Sequence, residues 1–296
     1  MECDIPGVYH TTSQQVMQMT FSESLHTYRY ELLLALVLVS GLFGTIVLEM
    51  VTDWYHDDNY SHGFFVPLIA GYFLHKRWNN LKTANVTPSN SGLTLIACAL
   101  LQLIIATLGT ENFTARSSLI VLIAGMVLYF FGTEVFKLTR LPILYLLFMV
   151  PLPYIAYNAL AFPLKIFISR VSVGFLKIIG LSVVRDGNII MFPSITLEVA
   201  DACSGMRSLV SIMALSTAYA IFLEISHLKR WILIVSALFL AISTNALRVI
   251  ITGILANYHG AAAARGFFHE FAGMAVFALA MALLAALGLM LRERTS

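Results

Sequence analysis

Residues 202–209 read Ala-Cys-Ser-Gly-Met-Arg-Ser-Leu and lie where a polar segment gives way to a long apolar run. The stretch brings a thiol (Cys203), a hydroxyl, a glycine and a guanidinium (Arg207) close together. Two further unusual residues follow it: Arg248 inside an apolar helix and His269 at the start of another. We interpret these three places as parts of one site, around which the rest of the chain is organised.

The composition indicates a membrane protein. Of the 296 residues, 59% are hydrophobic and 11% are charged, whereas a soluble domain carries roughly 25% charged residues. So few charges cannot cover a water-facing surface, and we expect the lipid bilayer to surround most of the chain. A net charge of +2 gives no indication of a nucleic-acid partner. The three cysteines are widely spaced and form no CxxC pair, so neither a disulfide framework, a metal site nor a cofactor is expected.

Apolar runs predict the transmembrane helices. A helix needs about 20 apolar residues to cross a bilayer, and eight runs approach this length, at about 31–51, 62–74, 92–109, 117–136, 142–158, 205–225, 231–257 and 268–291. The second run is short, and we expect it to begin in the outer interface or to line a polar cavity. Residues 1–30 are predicted to form a cytoplasmic tail, and 31–296 a single transmembrane domain.

Basic residues predict the orientation of these spans. Lysine and arginine cluster at 75–82, 137–140, 229–230 and 292–294, and the positive-inside rule places such clusters in the cytoplasm. Eight spans with both termini inside satisfy all four clusters. The acidic loop 53–58 then lies on the outer side.

The segment 160–181 is apolar enough to suggest a ninth span, but a ninth span would move the cluster 229–230 outside. Its polar residues share one side of a helical wheel: Lys165, Ser169, Arg170, Ser172 and Lys177. We therefore predict an amphipathic helix that lies flat on the outer surface. A true span with snorkelling lysines is the alternative.

A small β-hairpin is expected next. Residues 188–192 and 195–199 are rich in β-branched side chains and flank a Pro-Ser pair, and Arg-Asp-Gly-Asn at 185–188 is typical of a turn. The predicted fold is an all-α polytopic membrane protein with about eight transmembrane helices, an interfacial amphipathic helix and a small extracytoplasmic β-hairpin.

The position of Cys203 favours a reactive thiol. A cysteine at a helix N-terminus experiences the positive end of the helix dipole, which favours the thiolate, and Arg207 adds positive charge one turn later. Thiolate is the nucleophile of cysteine catalysis. A lone cysteine of this kind is also compatible with an inert, interfacial thiol.

Arg248 and His269 strengthen the catalytic interpretation. A charge within an apolar helix costs about 2.5–3.5 kcal/mol on insertion scales and usually faces a cavity. Asn245, three residues before Arg248, extends a polar stripe that an arginine snorkelling to headgroups would not need. An imidazole such as that of His269 can act as base and acid, although an interfacial histidine can also be structural. The orientation derived from basic loops alone places Cys203, Arg248 and His269 at the same membrane face.

Four stretches resemble the motifs of the exosortase/archaeosortase family. Residues 202–209, 245–249 (Asn-Ala-Leu-Arg-Val) and 266–273 (Gly-Phe-Phe-His-Glu-Phe-Ala-Gly) are similar to its three motifs. Residues 60–67 (Tyr-Ser-His-Gly-Phe-Phe-Val-Pro) resemble its N-terminal motif. The resemblance covers about 50–290 and is to the bacterial exosortase type, without the C-terminal domain that is fused to some members.

The resemblance implies a multispanning cysteine transpeptidase or protease of the bacterial cytoplasmic membrane, linked to surface attachment or exopolysaccharide export. Such enzymes cut C-terminal sorting signals of exported proteins, as in the PEP-CTERM type, at the periplasmic side. The implied partners are membrane-tethered proteins with a sorting tail and an unidentified acceptor nucleophile. Cys203 would be the nucleophile, His269 the acid and base, and Arg248 the oxyanion partner; further residues could support the site or meet the substrate: Arg207, Asn245, Asp201, Glu198 and His62.

A different class of function is also compatible with the sequence. A polytopic transporter, or a non-catalytic factor for envelope polysaccharide assembly, could use Arg248 as a counter-charge for its substrate. Transporters of this kind are often built from internal repeats, with polar groups near the bilayer midplane. The sequence shows no such repeat, and its unusual polar residues gather at one predicted face.

Overall fold

A computed structural model describes residues 19–193, 195–199, 206–223, 225–260 and 267–292, without the side chains of 206 and 267–270. Within these ranges the chain forms long helices and one small sheet. The helices are α1 (Phe21–Thr27), α2 (Arg29–His56), α3 (Phe65–Lys76), α4 (Trp78–Lys82), α5 (Ser91–Leu108), α6 (Asn112–Tyr145), α7 (Tyr154–Ile178), α8 (Met206–Phe222), α9 (His227–His259) and α10 (Phe267–Leu291). Short 3₁₀ turns at Ser61–Phe64 and Leu146–Met149 precede α3 and follow α6.

The prediction of an all-α polytopic membrane protein is confirmed, although the number of candidate spans differs from the eight predicted. Among the described residues, 6 helical segments are long and apolar enough to cross a membrane. They comprise α2, α5, α6 with its 3₁₀ extension, α7, α9 and α10. Two shorter apolar helices, α3 and α8, run between the same two ends of the bundle, because α3 begins beside Trp54 and α8 ends beside Lys76.

The helix α6 is a hairpin of two arms. Gly132 has φ 83° and ψ −168°, which breaks the helix between 112–131 and 133–149. Arg116 in the first arm pairs with Asp53, while the carbonyl of Met149, after the second arm, accepts a hydrogen bond from the neighbouring Trp54 at 2.8 Å. A straight helix would hold positions 116 and 149 about 50 Å apart, so the chain must turn back at Gly132. The two arms supply the fourth and fifth predicted spans, although the fifth covers 133–149 rather than 142–158.

Basic loops gather at one end of the bundle. Arg77 donates from Nη1 to the carbonyl of Leu138 at 2.8 Å, which joins two of the basic clusters. Lys76 donates from Nζ to the carbonyl of Phe222 at 3.2 Å, which places the end of α8 there as well. We call this the basic end, and we call the opposite end, which holds the loop 53–58, the acidic end.

The helix α7 begins and ends at the acidic end. Just before it, the carbonyl of Leu152 accepts a hydrogen bond from Tyr60, and the segment after it leads to α8, whose Arg207 pairs with Asp58. Near its end α7 packs on Gly253 of α9, where an added Cβ would lie 3.3 Å from Leu176. Both ends of α7 therefore lie towards the acidic end, which is compatible with the predicted interfacial position, and α7 is also long and apolar enough to cross a membrane.

The serines on the polar side of α7 are buried, whereas the predicted amphipathic helix would turn that side towards water. Ser169 and Ser172 are fully buried and donate to the carbonyls of Gly187 and Ala246. The serine side of α7 therefore packs on protein rather than facing water. Arg170 and the apolar Phe167 and Phe175 remain exposed, which is compatible with the predicted interfacial position.

The expected hairpin is part of a three-stranded antiparallel sheet with the order β1-β2-β3. The strands are β1 (Val184–Asp186), β2 (Ile189–Met191) and β3 (Thr196–Glu198). Strands β2 and β3 form the predicted hairpin, and β1 is added where the sequence suggested only a turn. Gly187, with φ 57°, makes that turn. The sheet packs on the acidic end of α9 through Ile190, Phe192 and Val199.

Part of the predicted N-terminal tail is folded against the basic end. Thr20 and Glu23 form a capping box at the start of α1. Phe21 packs edge-on against Phe131 with ring centroids 4.8 Å apart, and Thr20 pairs with Asn85. Residues 19–28 thus cover the loop where α6 turns back.

Candidate functional site

The motif that contains Cys203 leads directly into α8. Cys203 and Asp201 lie outside the described residues, and α8 begins at Met206. The first described side chain of this helix is Arg207, which forms an ion pair with Asp58. Both partners are exposed at the surface, and such pairs contribute little to stability. The pair shows that α8 starts beside the acidic loop.

Arg248 lies at the contact between α9 and α10. A Cβ added to Gly273 would lie 3.0 Å from both Cζ and Nη2 of Arg248 and 3.4 Å from Nε. The guanidinium therefore packs tightly against position 273, where a larger residue would push it aside. His269 precedes Gly273 by four residues, one turn of α10, although its side chain is outside the description. The structure thus brings Arg248 to within one helical turn of His269.

The charges of Asp57 and Arg248 both act on Arg207. Together with the packing of Gly273 on Arg248, this places the beginnings of α8 and α10 in the same part of the bundle. Guanidinium groups gathered in one region favour a negatively charged group near them. A carboxylate, or the oxyanion of an acyl-transfer intermediate, has this character.

Asn245 is 3% exposed and lies three residues before Arg248. Thr244, beside it, is also buried and donates to the carbonyl of Leu240 at 2.7 Å. The predicted polar stripe on α9 is therefore inside the protein. A snorkelling arginine would not need buried polar neighbours of this kind.

Two predicted supporting residues bind elsewhere. Glu198, on β3, is exposed and accepts a hydrogen bond from Asn188 across the sheet at 3.4 Å. His62 lies 3.1 Å from the carbonyl of Phe148 through Nε2. Neither residue has a described contact with Arg207 or Arg248. His62 does line a cavity that contains Ser211 of α8.

The N-terminal motif has a clear structural role. Trp54, Tyr60 and His62 all bind carbonyls of the segment 148–152, at 2.8, 3.3 and 3.1 Å. Burial and then the charge of Asp57 raise the pKa of Tyr60 to about 12, so its hydroxyl remains a donor at physiological pH. These hydrogen bonds hold the chain that leads into α7.

Sequence reasoning did not predict several features of this region. Arg116 is 5% exposed and pairs with Asp53 at 2.6 Å. The pairing of the acidic loop with Arg116 and Arg207, and the packing of Gly273 on Arg248, depend on contacts between distant segments. The available signal was the clustering of acidic residues in 53–58, which served only to indicate a membrane side.

The fold and this region define the class of protein: a multipass membrane protein in which Arg207 of α8 and Arg248 of α9 lie in the half of the bundle that holds the acidic loop. The sequence model of the transmembrane exosortase (EpsH) family matches residues 54–286, and the chain belongs to this family. The match extends from the loop-binding Trp54 to beyond Gly273. No curated protein and no solved structure matches the chain.

Proposed function

We propose that this exosortase is a cysteine transpeptidase or protease that cleaves C-terminal sorting signals, of the PEP-CTERM kind, from exported proteins. In this proposal the acidic end faces the outside of the bacterial cytoplasmic membrane. The substrates are membrane-tethered, and cleavage releases them or transfers them to an acceptor. Membership of the family and the polytopic fold support this assignment.

One observation carries the proposal. The guanidinium of Arg248 packs on Gly273, one turn from His269, at the end of the bundle where the Cys203 motif enters α8. An oxyanion partner and an acid-base residue are needed together in acyl transfer. Arg248 and His269, which the proposal assigns to these two roles, come from different helices that meet at one place.

The proposed reaction has two steps. The thiolate of Cys203 attacks the scissile carbonyl, and the negative charge moves to the carbonyl oxygen, where Arg248 stabilises it. The C–N bond then breaks, His269 in its imidazolium form protonates the leaving amine, and a thioester remains on Cys203. In the second step neutral His269 removes a proton from the acceptor, which is water or an amine. The acceptor attacks the thioester and Cys203 leaves as thiolate.

The transporter alternative receives less support. Transported substrates bind near the bilayer midplane in proteins of that class. Here the arginines Arg207 and Arg248 gather near the acidic loop, at one end of the bundle. That location fits a reaction at a membrane face.

The proposal is tested by Cys203→Ala, with Cys98→Ala as the matched control. Cys98 is an exposed thiol on α5, far along the sequence from the site. A tailed exported reporter is co-expressed with each variant, and its size is followed by immunoblot. Loss of the nucleophile should reduce processing by about 10³-fold or more, whereas Cys98→Ala should process normally. Normal processing by correctly inserted Cys203→Ala would refute the cysteine mechanism.

A further inference from the structure

An open groove runs along α8 between α3 and α10. Its upper part is a cavity of about 400 Å³ whose lining includes His62, Tyr145, Ser211 and Phe277. Its lower part is a cavity of about 380 Å³ whose lining includes Tyr219 and other residues of the same helices. Ile69 and Leu215 border both parts, so the two are continuous.

The lining of this groove is apolar and helical in spacing. On α8 the lining residues recur at intervals of three or four, and the same holds on α10: Ser211, Ala214, Leu215, Ala218, Tyr219 and Phe222, with Phe277, Met281, Leu284 and Ala285. Both α3 and α10 pack on α8 but not closely on each other. The groove therefore opens sideways, towards the surface that the membrane covers.

The upper end of the groove reaches the candidate site. Ser211 lies one turn after Arg207 on α8, and Phe277 lies one turn after Gly273 on α10. A molecule that enters sideways from the membrane and lies in the groove thus has its upper end beside Arg207 and Arg248. The two serines near this end, Ser61 and Ser211, make it the polar end of the groove.

The lower end of the groove lies at the basic end of the bundle. It stops at Phe222, the last residue of α8. Lys76 occupies this end, donating to the Phe222 carbonyl at 3.2 Å with Nζ 4.9 Å from the Phe222 ring centroid.

We propose that this groove docks the apolar transmembrane helix of the tethered substrate, and so delivers the residues just outside the membrane to the site; this inference rests on the proposed function. Between Ser211 and Phe222 the groove is about 17 Å long, which accommodates about three turns of a helix. Ala214 and Ala218, four residues apart on its floor, allow the close backbone approach that membrane helices use in packing. The polar upper end of the groove lies beside the candidate site, where the outer end of such a helix would be.

The proposal is tested by placing a bulky side chain in the groove at an exposed position. Ala285 lines the lower cavity and is exposed, and Ala286 is exposed on α10 without lining either cavity. Ala285→Trp should block the occupant and lower the processing rate by about tenfold or more. Ala286→Trp adds the same bulk on another side of the helix and should process at the wild-type rate. The reporter is an exported protein that ends in an apolar segment of about 20 residues followed by lysines and arginines. Equal processing by both tryptophan variants would overturn the groove assignment while leaving the proposed function intact.

Photocrosslinking separates the groove from the chemistry. A benzophenone amino acid is placed at 285 or at 286 in the full-length Cys203→Ala protein, with the same reporter present. We expect a crosslink to the reporter's apolar segment from 285 and little from 286. A crosslink from 285 when the wild-type enzyme leaves the reporter uncut would support the groove and count against the proposed function. Crosslinks from 285 to lipid alone would overturn the groove assignment.

Discussion

At the scale of single residues, the position of Arg248 depends on the absence of a side chain at Gly273. The guanidinium lies against the point where a Cβ would be, with Cζ and Nη2 both 3.0 Å from it. An alanine would fit only if the guanidinium moved by a few tenths of an ångström, and the constraint is one of space because Gly273 has no positive φ. The contact sets the position of the arginine relative to the first turn of α10, which carries His269.

Replacement of Gly273 by alanine should impair the reaction more than the fold. The added methyl group pushes the guanidinium aside by a few tenths of an ångström. A displacement of 1 Å at a reacting group can cost about 10²-fold in rate, so this smaller shift should cost about two- to tenfold. We expect Gly273→Ala to lower reporter processing by that factor, measured as initial rate at equal enzyme levels, with thermal unfolding in detergent nearly unchanged.

Gly44→Ala is the matched control for this substitution. Gly44 lies within α2, and a Cβ there would meet nothing within 4 Å. The alanine should be neutral or slightly stabilising in a helix and should leave processing unchanged. If Gly273→Ala and Gly44→Ala processed the reporter equally well, the position of Arg248 would not matter to the reaction.

The two ion pairs near the site differ in their surroundings. Arg116 is buried and keeps Asp53 at 2.6 Å, so this pair holds α2 to the first arm of α6. Arg207 and Asp58 are both exposed, and an exposed pair is weak enough to exchange partners. The supporting role predicted for Arg207 remains a prediction, whereas Arg116 holds the fold.

At the scale of elements, the turn inside α6 decides how many times the chain crosses the bundle. Gly132 has φ 83° and ψ −168°, and an added Cβ would lie 1.9 Å from the carbonyl oxygen of Thr87. That backbone region is open essentially only to glycine, and the overlap is with backbone, which cannot rotate away. Position 132 therefore has no room for any side chain.

We expect Gly132→Ala to prevent correct folding of the two arms. The strain of the backbone alone is about 1–3 kcal/mol, and the overlap with Thr87 adds to it. Folded, monodisperse protein should be largely lost when membranes are solubilised in mild detergent and analysed by size exclusion. Gly44→Ala, again with open space around it, should give wild-type yields. A wild-type yield for Gly132→Ala would mean that the chain does not turn back here.

The elements show why sequence reasoning succeeded for most spans and misplaced one. Long apolar runs report directly on transmembrane helices, and α2, α5, α9 and α10 follow the predicted runs closely. The fifth span was shifted because the basic residues Lys137 and Arg140 suggested a loop between the fourth and fifth runs, whereas the backbone reverses at Gly132. Strand β1 was missed because its three residues are mostly polar and pair only with β2.

At the scale of the whole molecule, the sequence predicted which segments would meet but not how they would touch. The orientation derived from basic loops placed Arg248 and His269 at one face, and the structure puts Arg248 on Gly273, one turn from His269. The roles of these residues remain predictions. The lateral groove could not be predicted, because it depends on α3 and α10 both packing on α8 without closing on each other.

The membrane topology is also a property of the whole molecule, and single-cysteine labelling can test it. In a variant whose Cys3, Cys98 and Cys203 are replaced by alanine, one cysteine is introduced at Asn80, Thr110 or Asp186, all exposed. An impermeant maleimide should label 110 and 186 in intact cells, because both lie towards the acidic end, and should reach 80 only after the membrane is opened. Equal labelling of all three in opened cells controls for reactivity. Position 186 separates the two placements of α7, since a spanning α7 would put 186 on the side of 80. If 186, like 80, were labelled only after the membrane is opened, the sheet would lie on the cytoplasmic side. The acidic end could then not hold both the sheet and an outward-facing site.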